Sequence, residues 1–442
     1  MWKNLAATGF AGALVAMAVM PSVADELFVP YQAVSLPNTG TLAAFDISFV
    51  NPKLRTLAVA ASRVVDTRGP FGTVVIVNTD NNTVTKELIP DPPFAGACSF
   101  PARNTVAGPN GVIVIKTGLN AEVWAADGPV LTAAGVAHIC SVTTGTPPIP
   151  VAGDIASRST VKVLDLNSGG TKAVISTGGT GRADELCYDS KSRVVLVAND
   201  ETFDNFITFI DADTYEVIQQ IKFDGTDPNG DNILANGIEQ CIFNPKDGNF
   251  YLNIPNTGAS TLPSPLPGVT LRISRKGNKP YQVEAIVADF SKAPWNTTGC
   301  TGGTGIALGP NDQLANSCGL IISFKNGAII ANFPAAGGAD EIWFNPGDGH
   351  YFLADSTPAL LGVIDSKPKQ LSVDLSTKTA VGSHSVAADS ETNLVYVPIR
   401  GNSAVPGSGT VCSKATDVFG LAGNDALGCI LSYVAPSDGD DH

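Results

Sequence analysis

Four short segments of the chain open on a polar residue whose type suits chemistry. Asp184 leads a run that ends at Asp189, Glu239 one that ends at Asn244, Asp340 one that ends at Asn345, and His384 one that ends at Asp389. In each, a short apolar strand follows the polar residue and an Asn or Asp stands five positions later. A second strand comes after the turn, reading VVLVAND, FYLNIPN, HYFLADS and LVYVPIR in the four copies. Three weaker copies fit the same frame and are led by Asp46, Arg103 and Thr304. If the seven lead residues converge, four carboxylates and an imidazole make the oxygen-rich donor set that a hard divalent cation requires. Arg103 and Thr304 would then contact a bound ligand, with His384 or an acid such as Glu239 as general base. The same residues have a plainer use, because polar groups at strand openings often hydrogen-bond the backbone of a neighbouring element. A metal-free acid/base or ligand-binding site is the third reading.

Equivalent positions of a repeat converge only when the repeats surround an axis. Several copies are followed by a second hairpin. Phe206 to Asp211 turns at Asp213 into Glu216 to Lys222, Thr73 to Asn78 pairs in the same way with Thr83 to Leu88, and Thr160 to Asp165 with Thr171 to Ile175. Each unit is thus four short antiparallel strands joined by Asp, Asn or Gly turns, which is the pattern of a propeller blade. The openings at 46, 103, 184, 239, 304, 340 and 384 count seven, so the sequence predicts an all-β, seven-bladed β-propeller. The last blade takes strands from 385–389, 394–398 and 428–434. Residues 27–34 are expected to supply its fourth and close the ring.

Composition agrees with that reading. The chain has 442 residues, 44% of them hydrophobic and only 15% charged, with 45 Gly and 30 Pro. Wholesale disorder is excluded, and the low charge density favours strands and turns over salt-bridged helices. Forty-one acidic against 27 basic residues give a net charge of -14. With no Lys/Arg cluster, such a surface repels phosphate backbones, so nucleic acid is excluded as a partner.

The stretch VVLVANDETFDNFITFIDADTYEVIQQIKF resembles a YVTN-type propeller repeat, in which YVTN-like, VSVIDT-like and KVVATI-like strands follow one another. At blade level the resemblance to YVTN-type, NHL-like propellers covers most of residues 40 to 434. It implies a fold shared by binding proteins, lactonases and electron-transfer enzymes. The frame position of the lead residues is also similar to that of the Ca²⁺-binding carboxylates of the gluconolactonase/regucalcin family. This second resemblance implies Glu239, Asp184 and Asp340 as Ca²⁺ ligands in a lactonase-like hydrolase, where the cation polarises a carbonyl and activates water. His384 matches instead the His of YVTN repeats of the form PHxxxxSPDG, and the EGPxW opening of gluconolactonases is missing from this chain. Two other expectations stand beside the hydrolase: a non-enzymatic propeller presenting its top face to a small molecule or partner protein, and a metal-free lyase using a carboxylate and His384.

The chain begins with one basic residue, Lys3, and an apolar run from Leu5 to Met20 ahead of the small-residue site Ser22-Val23-Ala24. Residues 1–24 therefore read as a signal peptide cleaved near Ala24. A single domain of residues 25–442 would remain, periplasmic or secreted, with no membrane span and as a monomer. Eight cysteines fit an oxidising compartment. Sequence neighbours suggest the pairs Cys98 with Cys140, Cys187 with Cys241, Cys300 with Cys318, and Cys412 with Cys429. Inserts near 126–158, 224–237 and 400–428 are expected on the top face. Only four histidines are present, too few for a multi-His copper or haem site, and His350 is expected in an outer strand. Trp343 reads as a core residue of an inner strand.

Overall fold

The computed structural model describes residues 28–36, 41–64, 71–96, 108–117, 120–129, 158–201, 204–259, 264–367, 371–375, 377–401, 412 and 427–435. Within them lie seven four-stranded antiparallel sheets, each with its strands in sequence order from the axis outward, save the last. Blades 1 to 6 occupy residues 41–88, 112–176, 182–222, 241–289, 306–332 and 339–374. Blade 7 runs Ala387–Ala388, Val395–Arg400 and Gly428–Val434, and its outermost strand is Val29–Val34 from the start of the described chain. Val34 pairs with Ile430 and Val29 with Val434, so the ring is closed by joining the two ends of the chain as expected. Thr377 of blade 6 adds to the closure, its hydroxyl donating to the Phe28 carbonyl at 2.6 Å.

The strands form because they are short, β-branched and ended by turns with their own chemistry. Asp211 shows the device. Its carboxylate accepts from the amides of Asp213 and Thr214, both at 2.9 Å, and the chain turns back before Val217. Asp165 caps the corresponding hairpin of blade 2, and Asp189 caps the inner hairpin of blade 3, in the same way. Such Asp turns recur because a short carboxylate satisfies amides that the ladder leaves free.

Apolar side chains of adjacent blades interlock in seven clusters, one of which packs Leu196 and Phe209 of blade 3 against Phe250 and Leu271 of blade 4. Each such residue, wholly withdrawn from water, contributes about 1.5–3 kcal/mol relative to exposure. Among the described residues three disulfides are formed. Cys187–Cys241 joins the inner strands of blades 3 and 4 with a Cα separation of 5.7 Å, Cys300–Cys318 lies in blade 5, and Cys412–Cys429 in blade 7. Cys98 and Cys140 lie outside the described residues, as do residues 1–24 and most of the inserts at 126–158 and 400–428. The 224–237 insert is a tight connector between blades 3 and 4. Asp227 spends both carboxylate oxygens on the amides of Lys222 and Asn229, which makes it a turn former. His350 departs from expectation: it starts the second strand of blade 6 and is buried, with Phe28 edge-on at 5.9 Å. Among the described residues no helix is long and apolar enough to cross a membrane.

Candidate metal centre

The four acidic lead residues sit where the inner strands are bulged. In blade 1 the register jumps between Phe45 and Ser48, in blade 3 between Ala183 and Leu186, and in blade 6 between Ala339 and Ile342. Two residues therefore face one on the second strand: Asp46-Ile47, Asp184-Glu185 and Asp340-Glu341. A bulge turns side chains out of the regular alternation and is common where a site must be built. The same geometry recurs at Glu239-Gln240, where the amide of Glu239 donates to Asn253 and the amide of Asn253 donates to Gln240.

Amides released by the bulges bond to the next blade. Ile47 donates to Asn110, Gly111 to Asp184, Gln240 to Thr304, and both Asp340 and Glu341 to His384, at 3.0–3.4 Å. A belt of backbone hydrogen bonds thus links inner strands around the axis and fixes the heights of the lead residues. In blade 2 the frame position belongs to Asn110-Gly111, which stand opposite Ala126. Arg103, expected there, lies outside the described residues. Glycine is required at 111, since a Cβ would lie 2.0 Å from the Asp184 carbonyl oxygen.

Three of the predicted residues come together at the mouth of the channel. Asp46, Asp340 and His384 each offer a ligand atom, and these atoms all lie within 4.8 Å of one another. His384 Nε2 stands 3.8 Å from Asp46 Oδ1, while Nδ1 is 2.8 Å from the Gly382 carbonyl. With its proton on Nδ1 the ring donates to that carbonyl and turns the Nε2 lone pair toward the carboxylates, the orientation a metal-binding imidazole needs. Phe45 stacks on the ring at 4.7 Å, and the Arg400 guanidinium lies over the Phe45 ring at 5.5 Å.

Asp184 and Glu239 are not in this group. The counter-charge at the mouth is Arg182, two residues before the lead position. It lies 2.8 Å from Asp184, 3.4 Å from Asp200 and 3.8 Å from Asp46. Burial opposes its charge, but Asp184, Asp46, Glu239 and Asp200 together hold the guanidinium protonated. Burial raises the carboxyls of Asp46 and Asp184, against the pull of Arg182. Glu239 is raised well above the usual carboxyl range by burial and by the charges of Asp340 and Asp184. A carboxyl raised in this way holds its proton more tightly than an ordinary glutamate does. Thr304 is largely occupied by structure. Its hydroxyl is 3.0 Å from the Ala339 carbonyl and 3.0 Å from the Ser317 hydroxyl. It also lines a cleft of about 410 Å³ with Gly302, Ser317, Ser356, Asp340 and His384, the last two belonging to the three grouped residues.

One residue further along the inner strands lies a second polar level. Glu341 is buried and accepts from the Ser385 hydroxyl at 2.6 Å and from the amides of Val386 and Ser48 at 3.3 and 3.4 Å. Burial pushes its carboxyl up to about 8. Glu185, 4% exposed, is raised well above the carboxyl range by burial and then by Glu341. Neither Glu185 nor Glu341 nor Arg182 is among the predicted site residues. The signal for the two glutamates is the doubled polar pair that opens the strand, as in Asp184-Glu185 and Asp340-Glu341, which violates period-2 alternation and so marks a bulge.

Fold and site together define a seven-bladed β-propeller with a carboxylate and imidazole cluster at one mouth of its channel. No family model matches the chain, and no curated protein matches it in sequence. Among solved structures it is similar to that of U3-55K, with a TM-score of 0.50 and 8% identity over 92% of this chain and 99% of the other. It is also similar to a chain of the mitotic checkpoint complex, with a TM-score of 0.48 and 12% identity over 89% and 96%. At such identities the U3-55K likeness shows the fold alone, and the second carries no argument. No match supports assigning the chain to the YVTN-type, NHL-like or gluconolactonase-like families; what is shown is the seven-bladed fold.

Proposed function

We propose that Asp46, Asp340 and His384 hold one divalent cation at the channel mouth, and that the chain acts there on a small polar molecule seated in the neighbouring cleft. The observation that supports this is the approach of two carboxylates and one oriented imidazole within 4.8 Å. Three protein ligands leave coordination positions open, as catalytic sites require. The sequence resemblance pointed to Ca²⁺. An imidazole in the donor set favours a borderline ion of the Zn²⁺ or Mn²⁺ class over Ca²⁺, which prefers oxygen ligands alone. When bound, such an ion supplies Lewis acidity toward a carbonyl oxygen and lowers the pKa of a coordinated water, the chemistry of hydrolysing an ester or lactone. Phe45 and Gly382 hold the imidazole in place, and Thr304, Ser317 and Ser356 line the cleft where a polar substrate would be oriented. An exported protein is the setting that the leader-like start and the cysteines suggest. The alternative, a propeller that only binds its ligand, is favoured by Arg182, which neutralises part of the mouth without any ion.

Elemental analysis and thermal melting test the cation. One equivalent per chain of a Zn²⁺- or Mn²⁺-class ion is expected, and EDTA should lower the melting midpoint by several degrees. Asp340→Asn and His384→Ala should each weaken metal uptake by about tenfold or more, on the order of what even outer-shell changes cost. A metal-free protein whose melting ignores chelator and added ions would overturn the cation. Turnover of a lactone and ester panel then separates catalysis from binding, for the purely binding propeller gives none.

A further inference from the structure

Below the mouth the channel widens into a cavity of about 450 Å³ that the cation chemistry does not use. Its walls are mainly apolar and aromatic, with Phe49, Ile113, Phe243, Leu308, Trp343 and Phe344 contributed by five different blades. Trp343 and Phe49 meet edge to face at 5.5 Å. Against this lining stand the two buried glutamates of the second polar level. Glu341 has one oxygen committed to Ser385 and two amides. Glu185 is 4% exposed, lines the cavity, and makes no hydrogen bond among the described residues.

Among the described residues no cation pairs with either group. The ion pairs of Arg182 go to Asp46, Asp184 and Asp200. Lys116 also lines the cavity, but it is exposed and stands five residues beyond Gly111, which holds the height of Glu185 on its own strand. At about 3.3 Å per residue, that places it on the order of 16 Å further along the channel. Lys116 and Ser190 are exposed, so the cavity reaches solvent at that end.

A carboxylate surrounded by apolar walls is costly, so such a group either keeps its proton or takes in a cation that pairs with it. Aromatic faces beside it suit a positive charge and the apolar body behind that charge. We infer that the axial cavity binds a small organic primary amine, its ammonium group between Glu185 and Glu341 and its apolar body along Trp343 and Phe49. The size of the cavity admits an aromatic ring on a short alkyl chain. Nothing in this proposal rests on the mouth cation, which lies at the other polar level.

The test uses the full chain in EDTA, so that coordination of an amine to metal plays no part and the two readings fail separately. Isothermal titration compares 4-phenylbutylamine with 4-phenylbutanol, which has the same body and no charge. Saturable binding of the amine at least tenfold tighter than the alcohol is expected, with quenching or a shift of tryptophan fluorescence from Trp343. Glu185→Gln should erase most of that tenfold preference and leave alcohol binding as it was. Equal binding of the two probes, or binding of neither, overturns the proposal on the wild-type chain alone, whether or not the variant folds. So does an amine preference that survives in a folded Glu185→Gln protein.

Discussion

Raising the pH from about 5 to about 8, in the presence of chelator, is expected to lower the stability of the folded chain by several kcal/mol. The cause is the second polar level of the channel. Burial pushes the Glu341 carboxyl from its ordinary 4.5 up to about 8, and Glu185, Glu239 and Asp184 are raised in the same direction. Between the unfolded value and the folded one, the native state keeps a proton that the unfolded chain has released. The stability tied to that proton is fully present below about pH 4.5 and is lost as the pH climbs through about 8. The slope is roughly 1.4 kcal/mol per pH unit for each such group, so Glu341 alone accounts for roughly 3 kcal/mol between pH 5 and 7.

Carboxyls held low by hydrogen bonds, such as Asp165, Asp213 and Asp224, act oppositely, but their window lies below about pH 4. A maximum near pH 5 follows. Urea midpoints across this range measure it, and Glu341→Gln should flatten the alkaline limb because a neutral amide replaces the group that must ionise. A stability that rises from pH 5 to 8 would contradict the burial of these acids.

The repeat made the blades legible from sequence, since each template carries its own strands, turn and polar opening. The closing strand was legible because blade 7 lacked a fourth, and the Cys187–Cys241 bridge because the two lie near the openings of adjacent inner strands. What escaped was the fine geometry at those openings. Alternation assumes one residue per step, so a bulge that turns both Asp184 and Glu185 inward looks like a single lead residue followed by core. In blade 2 Gly108-Pro109 is similar to the Asn244-Pro245 and Asn345-Pro346 pairs that end other inner strands, so the repeat frame falls on Arg103 and not on Asn110. Arg182 escaped because a cation two residues before the lead position belongs to no repeat. Asp46, Asp340 and His384 were each legible as lead residues of the repeat, His384 as a general base and not as part of the metal set. Their grouping, with His384 taken in and Asp184 left to Arg182, depends on inter-blade distances that no single segment encodes.

The largest effect of a single substitution is expected at Lys162. In the strand TVKVLD it reads as the solvent-facing member of an alternating pattern, yet the structure buries it beside Asp127, with 1% and 0% of the two side chains exposed. Its ammonium also donates to the Pro93 carbonyl at 2.7 Å and lies 4.9 Å over the Phe94 ring, tying blade 2 to the linker from blade 1. Lys162→Met removes the charge and leaves the Asp127 carboxylate buried without its ammonium partner, at a cost of about 3–5 kcal/mol. The partner change Asp127→Asn keeps an acceptor for the Ala95 amide, now 3.0 Å from Asp127 Oδ1, but strands the ammonium instead. The double variant should be more stable than Lys162→Met alone, because no charge is left buried without a partner. Protonation offers a second check. Burial already raises the Asp127 carboxyl against the pull of Lys162. Without the ammonium it should rise further, so the deficit of Lys162→Met shrinks as the pH falls and the lone acid takes up its proton. Denaturant midpoints of the three variants at two pH values measure both effects. A Lys162→Met deficit that is small, additive with Asp127→Asn and indifferent to pH would mean that the buried pair contributes packing and no electrostatics.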